Sequence, residues 1–167
     1  CVLVMCLAVS GCSVSIHDQL IYFIAVIRKK SDSHTVMNII FNSIYMKTIK
    51  LSTHINTSRE KVWSVLWDDS TYREWTSVFH EGSHAISDWK QGSEILFVGP
   101  DGASGMFSSI ETLIENDTMI FKHHGEIKEG VKQADATWNG SRERYFLTTE
   151  GNQTLLTVEL DSDEAFE

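Results

Sequence analysis

Gly105 to His124 reads GMFSSIETLIENDTMIFKHH, and no other stretch limits the possible folds as strongly. It is two extended segments back to back. Ile110, Thr112 and Ile114 share one parity, while Phe107, Ser109, Glu111 and Leu113 take the other, which is the period of a strand. Glu115-Asn116-Asp117 is a turn cluster with no residue that favours extended backbone. Met119, Ile120 and Phe121 then resume a β-branched and aromatic run. This is an antiparallel hairpin at the middle of a longer meander, and the sequence from Ser83 to Leu160 threads as strands on either side of it.

Upstream of the hairpin the grammar changes. Lys47 to Asn56 alternates, with Ile49, Leu51, Thr53 and Ile55 on one face, as in a half-buried strand. Thr57-Ser58-Arg59-Glu60 is a capping box with Thr57 as N-cap, and Val62, Trp63, Val65, Leu66 and Trp67 supply a helical apolar stripe. Asp68-Asp69-Ser70 breaks that helix, and Asp69 or Ser70 can cap a second one holding Tyr72 and Trp75. Trp63 is expected to pin the first helix to the sheet, and Trp75 to lie nearer a cavity mouth.

Downstream, short strands are expected over Ala85 to Trp89 and Ser93 to Val98, then Ser141 to Thr149 and Thr154 to Leu160. Gly125 to Gly140 reads as polar and irregular. The order is one strand, two short helices, then strands only. Alternating βαβ units are absent, so the expected class is α+β, a curved antiparallel sheet of about seven strands with two short helices after the first.

Composition divides the chain in two. All three cysteines precede residue 46, and all five tryptophans follow it. Residues 1–45 hold no Glu, whereas the later part holds 13 Glu and 8 Asp against 11 Lys plus Arg. The later part therefore carries −10 and the earlier +1, summing to the net charge of −9. An acidic surface excludes a nucleic-acid partner, because phosphate binding needs clustered Lys and Arg. The folded domain is expected over 46–167, with 1–45 a leader outside it.

Two readings of the leader stay open. In one it is upstream sequence read through in frame, with Met46-Lys47-Thr48-Ile49-Lys50 an ordinary start and a cytoplasmic location. In the other it is a signal or anchor, since Val9-Ser10-Gly11-Cys12 resembles a lipoprotein cleavage box that would lipidate Cys12. The apolar runs Cys1 to Val9 and Leu20 to Ile27 both fall short of the roughly 18 to 20 residues of a membrane span.

Three phrases carry a family resemblance: INTSREKVWSVLWDDSTYREWT (Ile55 to Thr76), SSIETLIENDTMIFKHHGEIKEG (Ser108 to Gly130) and WNGSRERYFLTTEGNQTLLTVELD (Trp138 to Asp161). The chain from Met46 onward resembles the SRPBCC superfamily, the START-like helix-grip fold, and within it the branch related to the activator of the heat-shock-protein-ninety ATPase. Val62-Trp63 and Trp75 match that branch's most recognisable positions. The resemblance implies a sheet wrapped around a long C-terminal helix with a hydrophobic cavity between them. Asp161-Ser162-Asp163-Glu164 is a helix start, and the long helix is expected to be truncated here. A small apolar ligand is the implied partner and a chaperone the alternative one; no cofactor is implied.

Chemistry is sparse. His80 and His84 are separated by Gly82-Ser83, which disfavours a helix, and His123 and His124 are adjacent on a strand and so face opposite ways. No Cys lies in the domain, so no metal site is expected. A polyketide-cyclase-like acid–base site has candidates in His123 (or His124, if the parity is reversed), Glu126, Glu143 and Tyr145, although strand-face carboxylates are usually solvated. No catalytic residue is assigned. The candidates for lining a cavity are Trp67, Trp75, Phe79, Phe97, Phe107, Phe121, His123, Trp138 and Tyr145. Plain core packing accounts equally well for large apolar side chains in a domain of this length.

Overall fold

A computed structural model describes residues 47–134 and 139–162. The expected leader and Trp138 lie outside the described residues. Of the helix start expected at Asp161-Ser162-Asp163-Glu164, Asp161 and Ser162 instead end the last strand, paired to Thr48 and Lys47 of the first, and the other two lie outside the described residues. β1 spans Lys47–Ile55, followed by α1 (Arg59–Trp67) and α2 (Asp69–Thr76). The strands β2 (His84–Ser87), β3 (Glu94–Val98), β4 (Gly105–Ile114), β5 (Thr118–Lys128), β6 (Val131–Gln133), β7 (Arg142–Glu150) and β8 (Gln153–Ser162) follow. All pair antiparallel in the order β1-β8-β7-β5-β4-β3-β2, with β6 beside β5. The α+β class with two short helices after the first strand is therefore found.

The chain departs from the sequence reading at several places, each with a physical cause. Ser58, not Thr57, caps α1, its hydroxyl accepting from the Lys61 amide at 3.4 Å. Thr57 is held on the sheet instead, its N–H on the Ile55 carbonyl and its own carbonyl accepting the buried Thr154 hydroxyl at 2.7 Å. The stretch after Gly125 is not irregular at first, because β5 runs on to Lys128 and β6 folds back on it. Gly125 permits this: a Cβ there would sit 2.2 Å from the Gln133 carbonyl oxygen.

Within the central hairpin the register shifts at Glu111, where Ile110 faces Phe121 but Thr112 faces Ile120. That bulge resets the parity. Ile110 is fully buried, yet Ile114 is 54% exposed and Leu113 packs on the core in its place. Asn116 takes a left-handed turn (φ 61), a conformation its short polar side chain tolerates.

Both helices lie against one face of the sheet and close the core. Val62, Leu66, Ile55, Ile95, Ile110, Phe121 and Leu156 are its driest members. Trp75 rather than Trp63 is the more deeply buried of the two, although Trp75 does lie beside a cavity, as expected. Trp75 is 4% exposed and donates its indole N–H to the Leu66 carbonyl at 3.1 Å, joining α2 to α1. Trp63 is only half-buried and packs edge-on to Trp67. In a nine-residue helix one turn apart, the inward stripe runs through Val62, Val65 and Leu66, and Trp63 falls on its flank.

Candidate functional site

The short helix α2 and the loop after it do not fully cover the sheet, and a pocket of about 450 Å³ opens between them and β3, β4, β5 and β7. Tyr72, Trp75 and Phe79 project from α2 and its C-terminal extension at spacings of three and four residues, one face of a helix. Trp67 enters from the end of α1, and Phe97, Phe121 and Tyr145 rise from the sheet. These rings form a continuous packed set. Trp67 and Tyr145 meet edge to face at 4.9 Å, Tyr72 and Trp75 at 4.9 Å, and Phe97 and Phe121 at 5.2 Å. His80, Ser83, His84, Ser104 and Met106 complete the wall.

One carboxyl group lies inside this aromatic enclosure. Glu143 lines the pocket, and the Tyr145 hydroxyl, two residues on along the same face of β7, donates to its Oε1. Burial pushes the Glu143 carboxyl above its ordinary range, and the Tyr145 bond only partly offsets that. The Tyr145 and Tyr72 hydroxyls are likewise pushed up, by burial first and then by the charge of Glu143.

Behind Glu143, the buried His123 brings Nε2 to 3.8 Å from Glu143 Oε2 and places Nδ1 2.9 Å from the Ser108 hydroxyl. Burial, then the neighbouring His124, lower its pKa to about 4, so the ring is neutral at physiological pH. A carboxyl with a raised pKa and a tyrosine hydroxyl can exchange hydrogen bonds with a ligand at this floor, and the neutral imidazole behind them contacts the carboxyl only. Among the described residues, no group of three or more His, Cys, Asp or Glu side chains could hold a metal ion.

Of the residues named from sequence, Trp67, Trp75, Phe79, Phe97, Phe121 and Tyr145 line the pocket. His123 stands one layer behind it, in contact with Glu143. Phe107 is on the opposite face, beside the His124 ring at 6.2 Å and under the Lys132 ammonium at 5.8 Å. His124 faces outward too, its Nε2 2.8 Å from the Ser109 hydroxyl, which settles the parity in favour of His123. Glu126 pairs with Lys128 at 2.5 Å, away from the pocket. Tyr72, Met106 and the two wall histidines were missed; the Tyr72–Trp75–Phe79 spacing was the signal for the first.

No protein-family profile and no curated protein matches the chain. Among solved structures, the Aha1 dimer from Colwellia psychrerythraea is similar at 23% identity and TM-score 0.54, over 72% of this chain and 78% of that one. PFC0360w from Plasmodium falciparum, described as an HSP90 activator, matches at 14% identity and TM-score 0.52, over 70% and 73%. CalU16 from Micromonospora echinospora matches at 16% identity and TM-score 0.52, over 70% and 60%. This chain has the helix-grip fold. Aha1-like proteins are among those that share it, as the sequence resemblance implies. Identities this low speak for the helix-grip architecture, and the chemistry has to be argued from the pocket itself.

Proposed function

We propose that this helix-grip domain binds a small apolar ligand in the pocket under α2 and does not transform it. The observation that carries the reading is the pocket of about 450 Å³ walled by aromatic rings, with Glu143 and Tyr145 as its inner polar pair. Concave, mainly apolar sites of a few hundred Å³ with a few convergent polar groups are the usual form of small-molecule sites. The wall holds Ser83, Ser104, His80 and His84, but the two histidines place Nδ1 at the backbone carbonyls of Glu81 and Gly82 rather than on a serine, so binding accounts for the arrangement more simply than turnover. A cytoplasmic location goes with this reading.

The test is a titration of the full chain with the neutral dye N-phenyl-1-naphthylamine, followed by dye fluorescence. Saturable one-to-one uptake, reversed by octanol and lost in a folded Phe97→Asp variant, is expected. Folded protein that takes up no dye would refute the reading.

A second reading is favoured by one observation, that a similar solved structure is described as an HSP90 activator. In it the domain docks on a heat-shock ATPase. Capture of a purified chaperone of that class by protein whose pocket is blocked by dye would favour it over ligand binding.

A further inference from the structure

We infer that the pocket selects ligands carrying an ammonium group on an apolar body. This rests on the pocket being a ligand site, and it adds which class of ligand the site takes.

The argument starts from the phrase Arg142-Glu143-Arg144-Tyr145. On a strand, alternate residues face opposite ways, so both arginines are turned from the face that Glu143 and Tyr145 share. Each arginine is engaged there by another acid. Arg142 holds Glu111 through Nε and one terminal nitrogen at 2.7 and 2.9 Å, and Arg144 holds Asp161 in a two-pronged pair at 2.7 and 3.0 Å. Glu143 is left on the inner face. Among the described residues no Lys or Arg pairs with it, and none lines the pocket. Its protein neighbours are Tyr145, the nearby Tyr72 hydroxyl and the His123 ring, which is neutral.

A carboxylate largely shielded from water without a counter-charge is disfavoured, and a cation supplied by a ligand lowers that penalty. The walls point the same way. Seven aromatic side chains line the pocket, and ring faces attract cations and repel anions. A quarter of the Glu143 side chain remains accessible, on the pocket side, so a ligand group can reach it. Burial keeps the carboxyl protonated more readily than usual in the empty site. An entering ammonium group takes over the role of that proton, which leaves to solvent. A metal ion is poorly served by one carboxylate and one imidazole, so an organic ammonium is the better match.

Octylamine, octanol and octanoate are the probes, each competing with the bound dye on the full chain at neutral pH. Octylamine is expected to bind at least ten-fold more tightly than octanol, with octanoate weakest. In Glu143→Gln the ratio of octylamine to octanol affinity should fall to less than three-fold. Octanoate binding as tightly as octylamine, or an unchanged preference in Glu143→Gln, would overturn the inference while leaving the pocket a ligand site. Dye uptake that none of the three reverses would overturn both.

Discussion

The Tyr145 hydroxyl donates to Glu143, two residues back on the same face of β7, at the floor of an aromatic pocket. This bond is what keeps the Glu143 pKa from rising further, since it opposes the dominant effect of burial. Tyr145→Phe is therefore expected to raise the Glu143 pKa, read by carboxyl-carbon NMR titration. It should also cost about 1 to 3 kcal/mol, the usual penalty for stranding one member of a buried hydrogen bond. A Glu143 titration that stays put or moves down would show that the bond has no such role.

Glu143→Gln should stabilise the empty protein at neutral pH. A carboxyl whose folded pKa is raised holds its proton more tightly folded than unfolded, so the native state loses stability as pH rises through the carboxyl range. The amide removes that loss and still accepts from Tyr145. The gain in melting temperature should vanish in mildly acidic buffer. Equal gains at both pH values would mean that ionisation is not its source.

His123 has the opposite sign of linkage. Its folded pKa of about 4 lies below the unfolded 6.5, so the unfolded chain binds more protons between those values. Stability on this account is full above 6.5 and is lost as pH falls towards 4. Between pH 7.5 and 5 the loss attributable to His123 is about 2 kcal/mol. His123→Asn, which can keep a contact to Ser108, should flatten this limb of the stability curve. Urea melts of both proteins at the two pH values decide it; parallel curves would rule His123 out.

Much of the fold was legible because strand parity and turn residues are local signals. The β1 alternation, the Asn116 turn and the two short helices all needed only neighbouring residues. The shared parity of Ile110 and Ile114 does not carry through to burial, because a bulge at Glu111 shifts it, and that shift is set by pairing with β5 rather than by β4's own sequence. β6 was missed because its three residues are all exposed and carry no apolar pattern; its pairing with Glu126 to Lys128 of β5 defines it. At the site, the aromatic residues were readable as large apolar side chains, but the isolation of Glu143 was not. That depends on which acids Arg142 and Arg144 reach across the sheet, partners 31 and 17 residues away.

Trp75 and Trp63 give a direct comparison of buried and flanking aromatic residues. Trp75→Ala removes a nearly inaccessible ring and the indole bond to Leu66, and should cost about 3 to 5 kcal/mol. Trp63→Ala removes a half-buried ring touching Trp67 and should cost about 1 to 2 kcal/mol. Denaturant midpoints at unchanged slope measure both. A larger effect at Trp63 would restore the sequence-based expectation that it is the pin.

Gly125→Ala adds a close approach to the backbone strain that Gly92→Ala carries alone. At Gly92 (φ +86) a Cβ would meet nothing within 4 Å, so Gly92→Ala bears only the left-handed strain of about 1 to 2 kcal/mol. At Gly125 the added atom would meet the Gln133 oxygen at 2.2 Å and Ala134 Cα at 2.8 Å, both backbone, with Phe107 Cε1 also at 2.8 Å. Neither strand can yield by a rotamer change. β6 is short and wholly exposed, so the least costly relief is for it to detach from β5. Gly125→Ala should therefore lose hydrogen-exchange protection across Ile127–Lys132 by at least ten-fold while the β7–β8 amides stay protected. Gly92→Ala should leave that protection intact. Identical exchange patterns in the two variants would mean that β6 does not depend on the missing side chain at Gly125.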